Sequence, residues 1–495
     1  MKKWDKTEKF IDMENASPKE QESPLFYGRP VSGFRAGLSF SSCFSGCTAL
    51  VMMPYLIYKN GAGVFWIALG LFMGMIVVWK YLPFRMLRFS RTSPGIHSFS
   101  DYLECRFGSG ARILSVVSAG AFAIFTLFFS VQLLRLGREI FLAFLPGYDT
   151  WWVRGLSVLL ILPVLFLGLN LITWTGRPVS GIVLAALILV VLSIYFRLGG
   201  SGIVRYTMMS GVPNTVSEYM NLLYFDGEAL SVSRTISLFM TGFLFAGLPI
   251  SFPFFVTLKD TRQVKRARRS VFAWNLPVLV LSCFMGGISR AMLYVEGEAV
   301  SPADFTMKLY RSLWRTDVNG KIAAVLYVTA LIAAFLLLLY FTFQRFITEV
   351  TAITTWLMEK KSGELQLGIP AACILLILAS LRMPDMSWAS VFFVLRFWAC
   401  SAGPVMFSSL VIRRLSTVAV YAGVLLGSLG MVIPELLPDR MFAGHIPFFF
   451  GPEGAGSELF SIILSVLGII LFTRLFPERD RNVLKRFDDV KNRIG

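Results

Sequence analysis

Apolar residues in this chain gather in long continuous runs rather than on the alternating faces of a soluble fold. A bilayer core of about 30 Å takes roughly 20 apolar residues in helical form. Runs of that order recur at 36–57, 64–82, 110–136, 151–169, 179–197, 232–257, 270–293, 321–344, 368–382, 387–411, 416–436 and 456–475. The pattern predicts an all-α polytopic membrane protein with about twelve transmembrane helices.

Polar positions between the runs set the expected orientation. Arg85, Arg88, Arg91 and Arg106 follow the second run, Lys259, Arg262 and the string Lys265, Arg266, Arg268, Arg269 follow the sixth, and Arg413 and Arg414 follow the tenth. With a twelve-span count, all lie on one side, which the positive-inside tendency makes cytoplasmic, together with both termini. The longer connections 199–231 and 296–320 fall opposite. The second is expected to form a short surface helix over an outer vestibule. The spacings Gly70/Gly74 and Gly423/Gly427 read as close helix approaches.

Composition agrees with this class. Of 495 residues, 55% are hydrophobic and 16% charged, where a soluble domain carries roughly 25% charge. The net charge of +17 resides in the connections, so a lipid bilayer is the expected partner and nucleic acid is not. Residues 1–28 are charged, with no apolar core of signal-peptide length, and read as a cytosolic disordered tail. Residues 29–476 form the transmembrane domain, and 477–495 a basic cytosolic tail. Six cysteines show no paired or zinc-like spacing, and Cys43 and Cys47 read as small packing residues. With only His97 and His445 as histidines, neither a metal site nor a cofactor is expected. No nucleophile–base pair points to an enzyme.

Two runs carry helix-loosening residues at mid-depth. The first, "LSFSSCFSGCTALVMMPYLIYKNG", has Ser42, Ser45, Gly46, Cys47 and Thr48 before Pro54. The sixth has Thr241, Gly242, Gly247, Pro249, Ser251 and Pro253. Proline removes a donor and glycine weakens a helix, so freed backbone groups need partners inside the protein or in a wet cavity. Two interrupted helices, five apart, are the mark of an inverted repeat of five plus five helices with its site at the breaks. The expected solute contacts are therefore Ser42, Ser45, Gly46, Cys47, Thr48, Thr241, Gly247, Pro249 and Ser251, with Gln132 a weaker addition. These polar, uncharged groups suit a small neutral or zwitterionic solute.

Several ordered blocks resemble one family. "YGRPVSGF" (Tyr27–Phe34) is similar to its opening "GR" segment, and "WIALGLFMGMIVVWKYL" (Trp66–Leu82) to its second core helix. "SFSDYLECRFGSGARIL" (Ser98–Leu114) resembles a T-x-P-D-Y-L-x-x-R-F signature, with Asp101, Tyr102, Arg106 and Phe107 in place. "GLPISFPFFVTLKDTRQVKRARR" (Gly247–Arg269) and "AGPVMFSSLVIRRLSTVAVYAGVLLG" (Ala402–Gly427) match two later blocks. Together they resemble the sodium:solute symporter family, and most closely its sodium/proline branch. The resemblance implies a leucine-transporter-like fold with alternating access, and sodium-driven uptake of a small organic solute. The family's usual extra N-terminal helix has no counterpart here, in keeping with twelve spans.

Departures fall where the resemblance places sodium ligands. Phe44 stands at an acid in the first core helix. Gly176, in "WTGRPV", stands at an Asp, and Val179 at a Gln. The hydroxyl pair of the eighth helix falls on Leu337 and Leu338, or in a register shifted by three on Tyr340 and Phe341. Leu248 replaces a Gln in the sixth-run signature. A hard cation stripped of water needs several oxygen ligands, and leucine offers none. The eighth run ends near Glu349, four residues after Arg345, which reads as an i, i+4 pair rather than a proton carrier. The sequence thus predicts a secondary transporter of a small solute with altered or lost sodium coupling. The alternative is a transporter-like solute receptor or structural membrane subunit that no longer cycles.

Overall fold

The computed structural model describes residues 31–92, 96, 98–144, 150–200, 216–246, 251–293, 300–358, 388–436 and 456–492. The ninth expected span, 368–382, and the 1–28 tail lie outside the described residues.

The first span comprises α1 (Gly33–Cys47), a π-helical turn at Thr48–Met52 and α2 (Met53–Asn60). Then come α3 (Phe65–Thr92), α4 (Phe99–Phe107), α5 (Arg112–Phe144) and α6 (Thr150–Arg197). A two-strand ribbon, β1 (Tyr224–Phe225) and β2 (Glu228–Ala229), precedes α7 (Val232–Ala246) and α8 (Phe252–Val256). The rest is helical: α9 (Thr261–Leu293), α10 (Pro302–Trp314), α11 (Val318–Met358), α12 (Trp388–Val411), α13 (Thr417–Leu436), α14 (Gly456–Leu475) and α15 (Arg481–Asn492). Seven helices among the described residues are long and apolar enough to cross a membrane, with shorter apolar helices at Val232–Leu244 and Thr417–Ile433.

Two expectations need correction. The fourth and fifth runs are not separated by a connection at 170–178, because α6 continues through Trp174 to Pro178 as one helix of 48 residues. Pro178 removes one ladder donor, but side chains of α1 bond to carbonyls on either side of that gap, Ser39 and Arg35 to Thr173 O and Ser42 to Gly176 O, and hold the helix through it. The first span is also not unwound at its serines. It stays α-helical through Cys47 and widens to π only at Thr48–Met52, directly before Pro54. Serine hydroxyls that donate to carbonyls one turn earlier, such as Ser41 to Gly37 at 2.9 Å, find a buried partner without the helix having to unwind.

α1 is the hub, packed against α6, α9 and α11. Small residues allow the approach. A methyl group at Gly33 or Gly37 would collide with the α9 backbone at Gln263 or Ala267. α3 and α7 meet in the same way, each through a glycine: Gly70 lies against the Phe239 carbonyl and Gly242 against that of Ile67. Gly423 and Gly427 seat α13 on α12 and α14.

At one end of the bundle Val31 pairs with the stretch after α8, donating to Thr257 O at 2.9 Å and accepting from Lys259 N at 3.1 Å. This ties the start of the first span to the end of the sixth. That end also carries the basic connections. At the other end α10 forms where a surface helix is expected, started by a reciprocal Ser301/Asp304 cap. Its buried Phe305 packs on Tyr58, ring centres 5.2 Å apart.

Candidate functional site: the first core helix and its partners

Ser39, Ser41, Ser42 and Ser45 are all fully buried on α1. A hydroxyl in that setting costs free energy unless it is bonded. Three have partners. Ser39 donates to Thr173 O at 3.1 Å, and Ser42 to Gly176 O at 2.9 Å. Arg35 Nε reaches Thr173 O as well, at 3.0 Å. Ser41 accepts from Asn275 Nδ2 of α9 at 2.8 Å.

The π-helical turn disturbs the hydrogen-bond ladder, and two of its carbonyls are taken by neighbouring side chains. Ala49 O accepts from Ser282 of α9 at 2.7 Å, and Leu50 O from Tyr327 of α11 at 3.1 Å. π-turns of this kind are frequent at functional sites.

One hydroxyl of the set is left over. Ser45 lies one turn beyond Ser41 and one before Ala49, on the seam that faces α9, and its Oγ is buried with no hydrogen-bond partner. Asn275, on the same seam, has a buried Oδ1 that is likewise unpartnered. Sequence reasoning missed Asn275. The available signal was a lone carboxamide inside the seventh apolar run, of the sort that membrane interiors hold for a reason.

The remaining expected residues are placed as follows. Gly46 faces α11, where a methyl would sit 3.2 Å from Ala334 Cβ. Cys47 is buried, and Thr48 is half-buried with its hydroxyl turned to Phe44 O at 3.4 Å. Thr241 lies on α7, which packs chiefly along α3, and bonds to Ser237 O of its own helix at 3.0 Å. Ser251 is buried immediately before α8, which packs beside α1. Gly247 and Pro249 lie outside the described residues. Gln132 is buried on α5.

The positions matched to sodium ligands are occupied by packing. Phe44 stacks on Phe40 at 5.3 Å. Gly176 lies where α1 meets α6, and a side chain there would strike Ser39. Leu337 and Leu338 are buried, and Leu337 O accepts from the Cys43 thiol at 3.7 Å. In the alternative register Phe341 is buried and packs on Phe254 of α8 at 5.3 Å. Phe40 also meets Trp79 of α3 and Phe254 edge-on, at 5.1 and 5.6 Å. Aromatic rings from four helices thus fill the space between the Ser45 seam and the basic end. Arg345 and Glu349 form the expected pair on α11, fully buried, and Ser100 of α4 donates to the carboxylate at 3.2 Å.

Comparison with known proteins places this arrangement. The model of the sodium:solute symporter family matches residues 26–427. The high-affinity proline transporter PutP of Bacillus subtilis is 23% identical over 82% of this chain and 85% of its own length. The sodium/proline symporter of Escherichia coli is 22% identical over 95% of this chain and 91% of its own. Among solved structures, a Na+-coupled sialic acid symporter in a substrate-bound outward-open state superposes with a TM-score of 0.69. It is 15% identical and covers 93% of this chain and 94% of that one. Mhp1, a nucleobase-cation-symport-1 family transporter, superposes in its closed conformation at 0.59, with 15% identity over 96% and 99% of the two chains.

Proposed function

The chain belongs to the sodium:solute symporter family, a multi-pass membrane transporter of a small solute with a leucine-transporter-like fold, and from that premise we propose that its solute is neutral or zwitterionic and its sodium coupling altered or lost. Members of the family are transporters rather than enzymes. The solute would bind along the seam between the π-turn of the first span, Ser45 and Asn275, bounded by Ser251 and α8. Buried oxygens without a partner are what a polar ligand satisfies, and no charged side chain lies on the α1 side of that seam. Relatives named as proline transporters support a solute carrying both a carboxylate and an amine.

The reading on sodium rests on one observation. The positions matched to its ligands are taken by an aromatic stack, a glycine contact and two buried leucines. Residues 29–476 form the transporter domain, in the plasma membrane, with the basic end and both flanking segments 1–28 and 477–495 in the cytoplasm. A second reading, a solute receptor that does not cycle, draws support from how fully the α1 hydroxyls are engaged with α6 and α9.

Uptake of labelled proline and a panel of amino acids, sugars and carboxylates into proteoliposomes, with and without a sodium gradient, separates these readings. Uptake that is independent of the gradient is expected. Strong stimulation by sodium would overturn the coupling argument, and binding without uptake would establish the receptor. Leu337→Ser with Leu338→Thr is expected to introduce a sodium response, and its absence would count against that register.

A further inference from the structure

A cavity of about 300 Å³ opens at the basic end between α3, α9 and α12, away from the α1 seam. Four cations line it: Lys80 and Arg85 from α3, Lys265 and Arg268 from α9. No carboxylate is among its lining residues, and among the described residues none forms an ion pair with any of the four. Arg85 donates to the Leu410 carbonyl at the end of α12, and the Lys80 ammonium sits 5.1 Å over the Tyr81 ring. Neither contact neutralises charge. The cavity also meets the first turn of α9 at Thr261, the positive pole of a 33-residue helix. Asp260, at that helix start, turns its carboxylate to the Gln263 amide at 2.9 Å.

Four like charges held together without counter-charge repel one another, so the arrangement calls for an anion. Its position says which kind. The cations sit where three apolar helices reach their polar ends, the depth of lipid headgroups. The walls beside them are apolar, with Phe84 and Phe407 inside and Tyr81 and Val411 on the rim, 51% and 60% exposed. A soluble anion has no use for such a rim, whereas the glycerol and first methylenes of a phospholipid do. Basic pockets between transmembrane helices are known to take anionic headgroups. We propose that this cavity is a binding site for the phosphodiester headgroup of an anionic phospholipid. Lys265 and Arg268 grip the phosphate, Lys80 and Arg85 supply the field, and the acyl chains leave past Tyr81 and Val411. The site joins α9, which packs on α1, to α3 and α12, so an occupant would brace a moving helix pair against its neighbours.

The test is native mass spectrometry of the full-length protein with phosphatidylglycerol, phosphatidylcholine and inorganic phosphate, alongside lipid-dependent thermal unfolding. Preferential retention of phosphatidylglycerol is expected. Each basic residue near a membrane surface contributes about fivefold, so Lys265→Gln with Arg268→Gln should weaken that retention on the order of 20-fold. The exposed pair Arg266→Gln with Arg269→Gln removes the same charge outside the cavity and should leave retention within about twofold. Equal losses in both variants would reduce the effect to a general basic surface and overturn the site. Equal retention of phosphatidylcholine, or full displacement by inorganic phosphate, would overturn the lipid assignment.

Discussion

Ser42 and Ser45 stand three residues apart on one buried helix, yet they do different things. Ser42 ties α1 to α6 through the Gly176 carbonyl, while Ser45 keeps an unspent hydroxyl. Ser42→Ala is therefore expected to destabilise the protein by about 1 kcal/mol, seen as a lower unfolding midpoint in detergent. Ser45→Ala removes a buried polar atom that gains nothing from the apo protein, so the midpoint should hold or rise while solute affinity falls. A drop in midpoint with unchanged affinity would place the solute elsewhere. The sequence already marked both serines, because hydroxyls in an apolar run are conspicuous. It did not say which were consumed by packing, since that depends on carbonyls more than a hundred positions away. Gly176 is similar. As a letter it is a missing acid. In the fold it is the contact surface of α1, and Gly176→Asp should lower the unfolding midpoint rather than restore an ion ligand, because the new side chain meets Ser39.

Among the elements, α3 and α7 are joined by reciprocal glycines. Each helix presents bare backbone to the carbonyl of the other. Overpacking a fitted contact costs about 1–3 kcal/mol, and here both sides are main chain. Gly242→Val should accordingly exceed that range and reduce folded yield in the membrane, checked by fluorescence size-exclusion of the solubilised protein. A well-folded variant would mean that α7 separates from α3 freely. Hydrophobic runs gave α12, α13 and α14 to within a residue or so, whereas α3, α9 and α11 extend well past their runs into the polar flanks at the basic end. They failed at 150–197, where a polar hexad, "WTGRPV", suggested a connection. A helix tolerates such a stretch when its polar groups find partners, and carbonyls within and beside this one do: Gly176 O accepts from Ser42, Thr173 O from Arg35 and Ser39, and Ser180 O from Trp274. The break in the first span was likewise legible as a weak point, but its form was not. A π-turn and a fully unwound segment call for the same residues, and only packing against Ser282 and Tyr327 decides between them.

Over the whole molecule, several ties among the described residues converge on the basic end. The Val31–Leu258 bridge, the glycine contacts of α1 on α9, and the aromatic layer around Phe40 stack in sequence there. Arg106 of α4 adds a buried tie at this end. Its buried guanidinium donates to the carbonyls of Ser409, Ile412 and Arg413 beyond or within α12, and to Val483 of α15 at 3.5 Å, with the Phe487 ring 4.6 Å away. Arg413 and Asp488 add a bidentate pair, and Arg486 reaches Cys105 O on α4. Arg106→Met should release α15 and raise amide exchange across 481–492 at least tenfold, with exchange in α1 unchanged. Exchange that rises equally in both would mean general unfolding. Because α15 is fastened to α3, to α4 and to the segment just beyond α12, it supplies a datum tied to that group of helices. A spin label or fluorophore on its outer face, paired with one at the start of α1, would therefore read out the transport cycle as a change in a single distance.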